Sequence, residues 1–268
     1  MPVSRANGLD VYYEVAGSGP PLLMLHALPF DHHLWLFQVA RLSQNFTTVA
    51  VDLRGWGKSA KPTTAFTLRD MGNDALGVLD DLGFRAPTIV MGCSIGSKIA
   101  ATLACERPER IAATILVGGN LGQQDFTRRI ADYRAQGEAG TLKAFHLGHL
   151  RHGVTSAWAD TPLGRYLLAG FVERGATLDA ESIARVFEAL QGADLSDRLP
   201  NCDVPTLVVN GEFDSARAGG ERTASLMPKA EHRLIAGAGH CCFLEDPASF
   251  DKCVFAFLEG EALVARVF

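Results

Sequence analysis

Runs of strand length alternate with stretches of helical periodicity up to Val117, and nothing else in the chain restricts its fold as much. Residues 9–16 alternate in polarity and end in Gly17-Ser18-Gly19-Pro20, which is turn chemistry. Residues 22–25 and 48–51 are apolar or β-branched runs between turns and are expected as buried strands. Residues 33–42 between them carry apolar side chains at helical spacing. A helix is expected over 68–82, with Leu76, Leu79 and Leu82 on one side, then a strand over 88–91, a helix over 95–107 and a strand over 113–117. Strands separated by helices of this length form βαβ units, and such units build a parallel sheet.

The rhythm stops at Gly118-Gly119-Asn120 and resumes with a strand over 205–209, a short strand over 233–235 and a closing helix over 247–258. Residues 121–199 contain no strand run. Helical spacing recurs there over 125–136, 142–151, 163–174 and 179–190, and a structureless connection of that length is foreign to compact domains. The expected division is a core segment 1–120, an inserted all-helical cap 121–199 and a second core segment 200–268. The fold class is α/β: a mostly parallel sheet of about eight strands flanked by helices.

Charge and composition exclude several function classes. Lys and Arg number 25 against 30 Asp and Glu, a formal charge of −5. That balance lacks the basic footprint of a nucleic-acid binder or of a polybasic membrane patch. The longest apolar stretch, 20–30, is interrupted by His26 and prolines and falls short of the roughly 20 residues that span a bilayer. The first 13 residues lack the apolar core of a secretory signal. The six cysteines (Cys93, Cys105, Cys202, Cys241, Cys242 and Cys253) lie in apolar surroundings without C-x-x-C spacing. Together these features predict a cytoplasmic protein with reduced thiols and no nucleic-acid or membrane partner.

The expected strand 88–91 runs into Gly92-Cys93-Ser94-Ile95-Gly96 and then into a helix. G-x-S-x-G carries meaning in this strand–turn–helix setting, because the sharp turn lifts Ser94 Oγ to the mouth of a sheet beside the positive end of the following helix. The Ile95 N–H then points at a developing oxyanion. A serine hydroxyl is a poor nucleophile at neutral pH and needs a base oriented by an acid. Downstream, Gly211-Glu212-Phe213-Asp214 follows a strand and Gly237-Ala238-Gly239-His240 follows the next one. Asp214, with Glu212 as the rival acid, and His240 thus fall where open α/β sheets bind ligands, beyond strand ends.

These motifs resemble the α/β-hydrolases. Asp52-Leu53-Arg54-Gly55-Trp56-Gly57-Lys58-Ser59 is similar to the family's D-x-R-G-x-G-x-S turn, Asp246-Pro247 with Phe250 to its closing helix, and His26-Ala27-Leu28-Pro29 to its H-G-x-P loop. The last likeness implies that the Leu28 N–H is a second oxyanion donor and His26 a loop-fixing hydrogen-bond donor. It also implies a Ser94–His240–Asp214 triad that needs no metal or organic cofactor. Ala27 and Ser97 depart from the glycines usual at their positions; the first implies a stiffer oxyanion loop and the second tighter helix–strand packing. Residues 26–35 followed by 52–59 look most like small carboxylesterases and 3-oxoadipate enol-lactonases, which implies hydrolysis of a small, largely apolar ester or lactone. The alternatives are C–C bond hydrolysis by the same triad, where relatives carry Asn at the position of Cys93, or a ligand-binding protein that retains the triad.

Phe30, Trp35, Phe145 and Trp158 are the expected pocket aromatics. His146, His149 and His152 recur every third residue of an expected helix. No carboxylate accompanies them, so a face lining the cap is favoured over a metal site. Cys241 and Cys242 beside His240 are expected as space-filling residues, with a redox switch as the alternative.

Overall fold

In a computed structural model that describes residues 2–174 and 179–263, eight strands form one sheet in the order β1-β2-β4-β3-β5-β6-β7-β8. The strands are β1 (Val3–Ser4), β2 (Val11–Ala16), β3 (Pro21–Leu25), β4 (Thr47–Val51), β5 (Thr88–Cys93), β6 (Ile111–Val117), β7 (Thr206–Gly211) and β8 (Ala230–Ile235). β1 and β2 pair antiparallel, and β3 through β8 run parallel, as the βαβ rhythm requires. Helices α1 (Leu36–Leu42), α2 (Leu68–Asp81) and α3 (Ile95–Glu106) belong to the first half. Between β6 and β7 lie α4 (Thr127–Glu138), α5 (Leu142–His152), α6 (Ser156–Ala159), α7 (Pro162–Arg174) and α8 (Ala180–Leu190), with no strand among the described residues. After β7 come α9 (Arg217–Leu226), α10 (Cys242–Glu245) and α11 (Pro247–Gly260). Residue 1, residues 175–178 of the expected cap and residues 264–268 of the second core segment lie outside the described residues.

Successive strand residues point to opposite faces, so a sheet covered on both sides needs continuous apolar runs. Leu23, Leu25, Val90, Leu116 and Val208 meet α2 and α3 in one core. Their neighbours Leu22, Met24, Met91, Val117 and Val209 meet α1 and α11 in the other. Burying each such side chain contributes about 1.5–3 kcal/mol, which is why these runs are legible as strands before any tertiary contact is known. Local signals set the helix starts. At α2 the Thr67 hydroxyl accepts the Asp70 N–H at 3.2 Å while the Asp70 carboxylate accepts the Thr67 N–H at 2.8 Å. At α8 the Asp179 carboxylate accepts the Ser182 N–H at 2.7 Å.

The short elements β1, α6 and α10 are additions to the sequence expectation, and three longer elements differ from it for local reasons. The run 33–42 opens as a 3-10 turn over His32–Trp35, because Asp31 caps it from outside and the Asp52 carboxylate takes the His32 N–H at 2.8 Å. α9 is a helix where none is expected, since Gly219 and Gly220 lower its intrinsic propensity. β8 begins three residues early with Glu231 and His232; paired to β7 alone, it is an edge strand that tolerates polar side chains.

β3 lies between β4 and β5, so the strand order reverses there. In such sheets the crevice at the carboxyl ends of the strands beside the reversal is the natural ligand site.

Candidate active site

Ser94 occupies the turn between β5 and α3 with φ 54° and ψ −109°. Among the described residues only Asn7, Ser94 and Ala262 combine a side chain with positive φ. Such a conformation costs on the order of 1–3 kcal/mol and persists only where the surroundings enforce it. Here the Ser94 N–H donates to the Val117 carbonyl at 2.8 Å, and the Lys98 N–H to the Ser94 carbonyl at 3.2 Å. The glycines on either side permit the close approach: a Cβ on Gly96 would lie 2.2 Å from the Leu25 carbonyl oxygen, and one on Gly92 2.2 Å from that of Gly96. Ser97 does more than crowd the packing. Its hydroxyl lies 2.8 Å from both the Gly92 and Val117 carbonyl oxygens, tying the turn to β5 and β6.

Asp214 and His240 approach from the ends of β7 and β8, with His240 Nδ1 2.8 Å from Asp214 Oδ1. The same oxygen accepts the Ala216 N–H at 2.9 Å, and Oδ2 accepts the Asn210 amide at 2.7 Å. Burial alone pushes the Asp214 carboxyl up, but the His240 imidazole and these donors outweigh it and hold its pKa below the usual range. For His240, burial opposes charging, yet the Asp214 carboxylate wins and raises the imidazole above its ordinary value. Glu212 is exposed and accepts the Gly237 N–H at 2.9 Å, so it braces a turn rather than the imidazole. The His240 loop is also tied to the helical stretch, because the Cys241 N–H donates to the Gly153 carbonyl at 2.7 Å.

Sequence reasoning overlooked Asn210 and Gly118. Asn210 sits inside an apolar strand run where only its contact with Asp214 gives it meaning. Gly118, at φ 60°, faces the imidazole: a Cβ there would lie 2.5 Å from His240 Cε1 and 2.7 Å from Nδ1. Gly118→Ala is therefore expected to displace the ring and lower kcat/KM about 100-fold, with the folded far-UV spectrum retained. Kinetics unchanged from wild type would mean that the ring has room to yield.

Ser94 and His240 line one cavity of about 310 Å³, together with Leu28, Ile95 and Phe30. α4, α5 and α8 close its other side through Tyr133, His149 and Phe187. The other expected pocket aromatics are not among its lining. Trp35 is fully buried and stacks on Phe243 at 4.7 Å, Phe145 packs edge-on against Tyr133 at 5.1 Å, and Trp158 packs against the α1/α11 core. An aromatic residue in a sequence announces burial without saying against what.

The sequence profile of the alpha/beta hydrolase fold matches residues 20–247. The chain belongs to the α/β-hydrolase family. Among solved structures, an enol-lactonase from Burkholderia xenovorans LB400 superimposes with a TM-score of 0.88 at 26% identity, covering 96% of this hydrolase and 99% of that chain. By sequence, the hydrolase is 28% identical to the pimeloyl-[acyl-carrier protein] methyl ester esterase of Nitrosomonas europaea over 91% of its own length and 98% of the relative's. It is 24% identical to a non-heme haloperoxidase of Rhodococcus erythropolis, with 96% and 99% covered.

Several polar groups in this hydrolase have structural explanations. His26 is fully buried: its Nε2 accepts the Leu53 N–H at 3.0 Å and its Nδ1 donates to the Ala27 carbonyl at 3.0 Å. Burial pulls its pKa down, so it fixes the Leu28 loop as a neutral ring. Ala27 is not among the positive-φ residues, so the backbone there does not require the glycine usual at this position. Asp52 braces the neighbouring turn by accepting from His32 Nδ1 at 2.7 Å and from the Lys58 N–H at 2.8 Å. Of the expected histidine row, His149 and His152 line the cavity while His146 is buried beside Tyr133. The one group of side chains spaced for a metal ion, among the described residues, is Asp31, His32 and His33. There Asp52 holds His32 Nδ1 and Asp31 holds His33 Nδ1 at 3.0 Å. Cys93, at the end of β5, and Cys242 are fully buried, and burial pushes both thiols well above their usual range. Such thiols stay protonated and fill space. No helix among the described residues is long and apolar enough to cross a membrane.

Proposed function

We propose that this α/β-hydrolase cleaves a small carboxylic ester or lactone through an acyl-enzyme on Ser94, with residues 121–199 acting as the cap over the site. The observation that carries the reading is the hydrogen-bonded His240–Asp214 pair opening on the same cavity as the strained Ser94 turn. With Nδ1–H committed to Asp214, the lone pair of His240 Nε2 is left to take the Ser94 proton as Oγ attacks the carbonyl carbon. The tetrahedral oxyanion rests on the Leu28 and Ile95 N–H groups, each of which is worth about 3–4 kcal/mol in this kind of chemistry. Ile95 opens α3, so its N–H has no earlier helical turn to donate to. Collapse of the intermediate expels the alcohol or enol with the proton from His240. Water deprotonated by the same imidazole then releases the acid. The enol-lactonase and the methyl ester esterase, whose names denote hydrolyses of this kind, support the reaction class.

A fluorophosphonate probe tests the reading directly. It should label Ser94 stoichiometrically and abolish hydrolysis of a p-nitrophenyl ester, and a protein that hydrolyses the ester while its Ser94 stays unlabelled would refute it.

The pH dependence follows from the shift on His240. Attack needs a neutral imidazole, and the Asp214 carboxylate raises its pKa above the ordinary value of about 6.5. The acid limb of kcat/KM is therefore expected to have its midpoint above that value, with activity rising as pH passes through it. Stability runs the other way: a pKa raised by folding stabilises the protein at low pH, and that contribution fades as pH rises through the folded value. A limb at or below the ordinary imidazole range would contradict the assignment of the base.

A further inference from the structure

We infer that the cavity takes a substrate with an anionic group, a carboxylate set apart from the scissile carbonyl and held by Arg129 on α4. The inference rests on the hydrolase reading and deepens it. Although the chain carries a formal charge of −5, the described residues lining the cavity include no Asp or Glu. They do include Lys98 and Arg129, with His149 and His152 on α5. Asp214 lies behind His240 and is 5% exposed.

Arg129 differs from its neighbours in having no ionic partner. Arg128 reaches Asp132 at 3.8 Å, Arg134 reaches Glu181 and Glu188 at 2.7 and 2.8 Å, Arg151 reaches Asp160 at 3.0 Å and Arg185 reaches Glu181 at 3.1 Å. No carboxylate among the described residues pairs with Arg129. Its guanidinium lies 5.5 Å from the centre of the Phe187 ring, itself part of the cavity wall. Stacking on an aromatic face orients the planar fork while leaving its N–H edge free, the geometry that receives a carboxylate in two parallel hydrogen bonds. Lys98 on α3 is the other cationic side chain of the lining. It is 2% exposed, burial pulls its pKa down to about 8, its ammonium donates to the Gly122 carbonyl at 2.9 Å, and among the described residues no carboxylate lies within ion-pair distance. Arg129 itself is exposed, pinned by Phe187 at the cavity wall, and a cleft whose lining carries one sign of charge attracts an incoming ligand of the opposite sign.

The test compares two p-nitrophenyl esters, the half-ester of glutaric acid and the neutral butyrate. The readout is the ratio of kcat/KM for the anionic ester to that for the neutral one. Arg129→Met should lower this ratio about 10- to 100-fold, and Arg129→Glu should lower it further. Arg128→Met, which removes an equal charge one residue away, should leave the ratio at the wild-type value. A ratio unmoved by Arg129→Met, or moved as much by Arg128→Met, overturns the inference while leaving the hydrolase reading intact. Calorimetric binding of glutarate itself separates the two claims from the other side. Loss of glutarate binding in Arg129→Met upholds the anion site even if neither ester is hydrolysed. Glutarate that binds both proteins alike, or neither, refutes it.

Discussion

Ser94→Ala is expected to lower kcat/KM on a p-nitrophenyl ester by about 10⁴-fold or more, because the proposed mechanism then lacks its attacking atom and keeps only the proposed oxyanion donors and the binding cavity. The variant should stay folded, since Ser94 is held through its own N–H and carbonyl, to Val117 and Lys98, rather than through its side chain. A companion substitution separates chemistry from strain. Ser94→Gly removes the same hydroxyl but relieves a φ of 54°, so it should be more stable than wild type by about 1 kcal/mol, read as a higher denaturant midpoint. An inactive yet more stable Gly variant would mark the strain as a cost borne for position. A Gly variant no more stable than the Ala variant would show that the turn is not strained. Hydrolysis that survives both substitutions would remove Ser94 from the mechanism altogether.

Asp214→Asn is expected to lower kcat by about 10⁴-fold, the loss seen when a triad acid keeps its shape but loses its charge. The geometry shows why. Asp214 accepts from His240, Ala216 and Asn210 at once, and an amide offers an acceptor on one edge only. Facing its NH₂ to His240 puts a donor against Nδ1 and favours the tautomer whose Nε2 carries the proton, which cannot accept one from Ser94. Facing its NH₂ to Asn210 sets two donors against each other in a buried site. Either choice leaves a clash that burial makes expensive. Loss of the carboxylate also removes what raises the His240 pKa, so the acid limb of any residual activity should move to lower pH. A residual rate with the acid limb where wild type has it would show that Asp214 does not set the charge of His240.

Much of this architecture was legible because its causes are local. Residues 88–91 read as a strand since every side chain there is apolar or β-branched, and both cores claim alternate members of that run. Gly92 and Gly96 read as a tight turn because no other residue fits between a strand end and a helix start at 2.2 Å from a carbonyl oxygen. Asp214 and His240 could be chosen because each follows a strand after a glycine, where chain direction alone brings them to the same edge of a parallel sheet. The choice of Asp214 over Glu212 rested on resemblance. The structure supplies its physical content, one carboxylate turned inward to the imidazole and the other outward to Gly237.

What stayed hidden depends on contacts between segments far apart in the chain. Trp35 was indistinguishable from a pocket residue until Phe243, more than two hundred positions away, stacked upon it. Gly118 looked like the end of a strand, and only the arrival of His240 shows why a methyl group cannot stand there. Arg129 was one arginine of several on a polar helix. Its lack of a partner is a property of where Asp132, Glu181 and Glu188 ended up. The order of residues therefore determined the sheet, the turn that bears Ser94 and the succession of acid and imidazole, since periodicity, glycine geometry and strand direction act over a few neighbours. Tertiary structure alone decided which side chains face the cavity and what charge it presents, because those follow from the packing of the helical insertion onto the sheet, where residues distant in sequence share one surface.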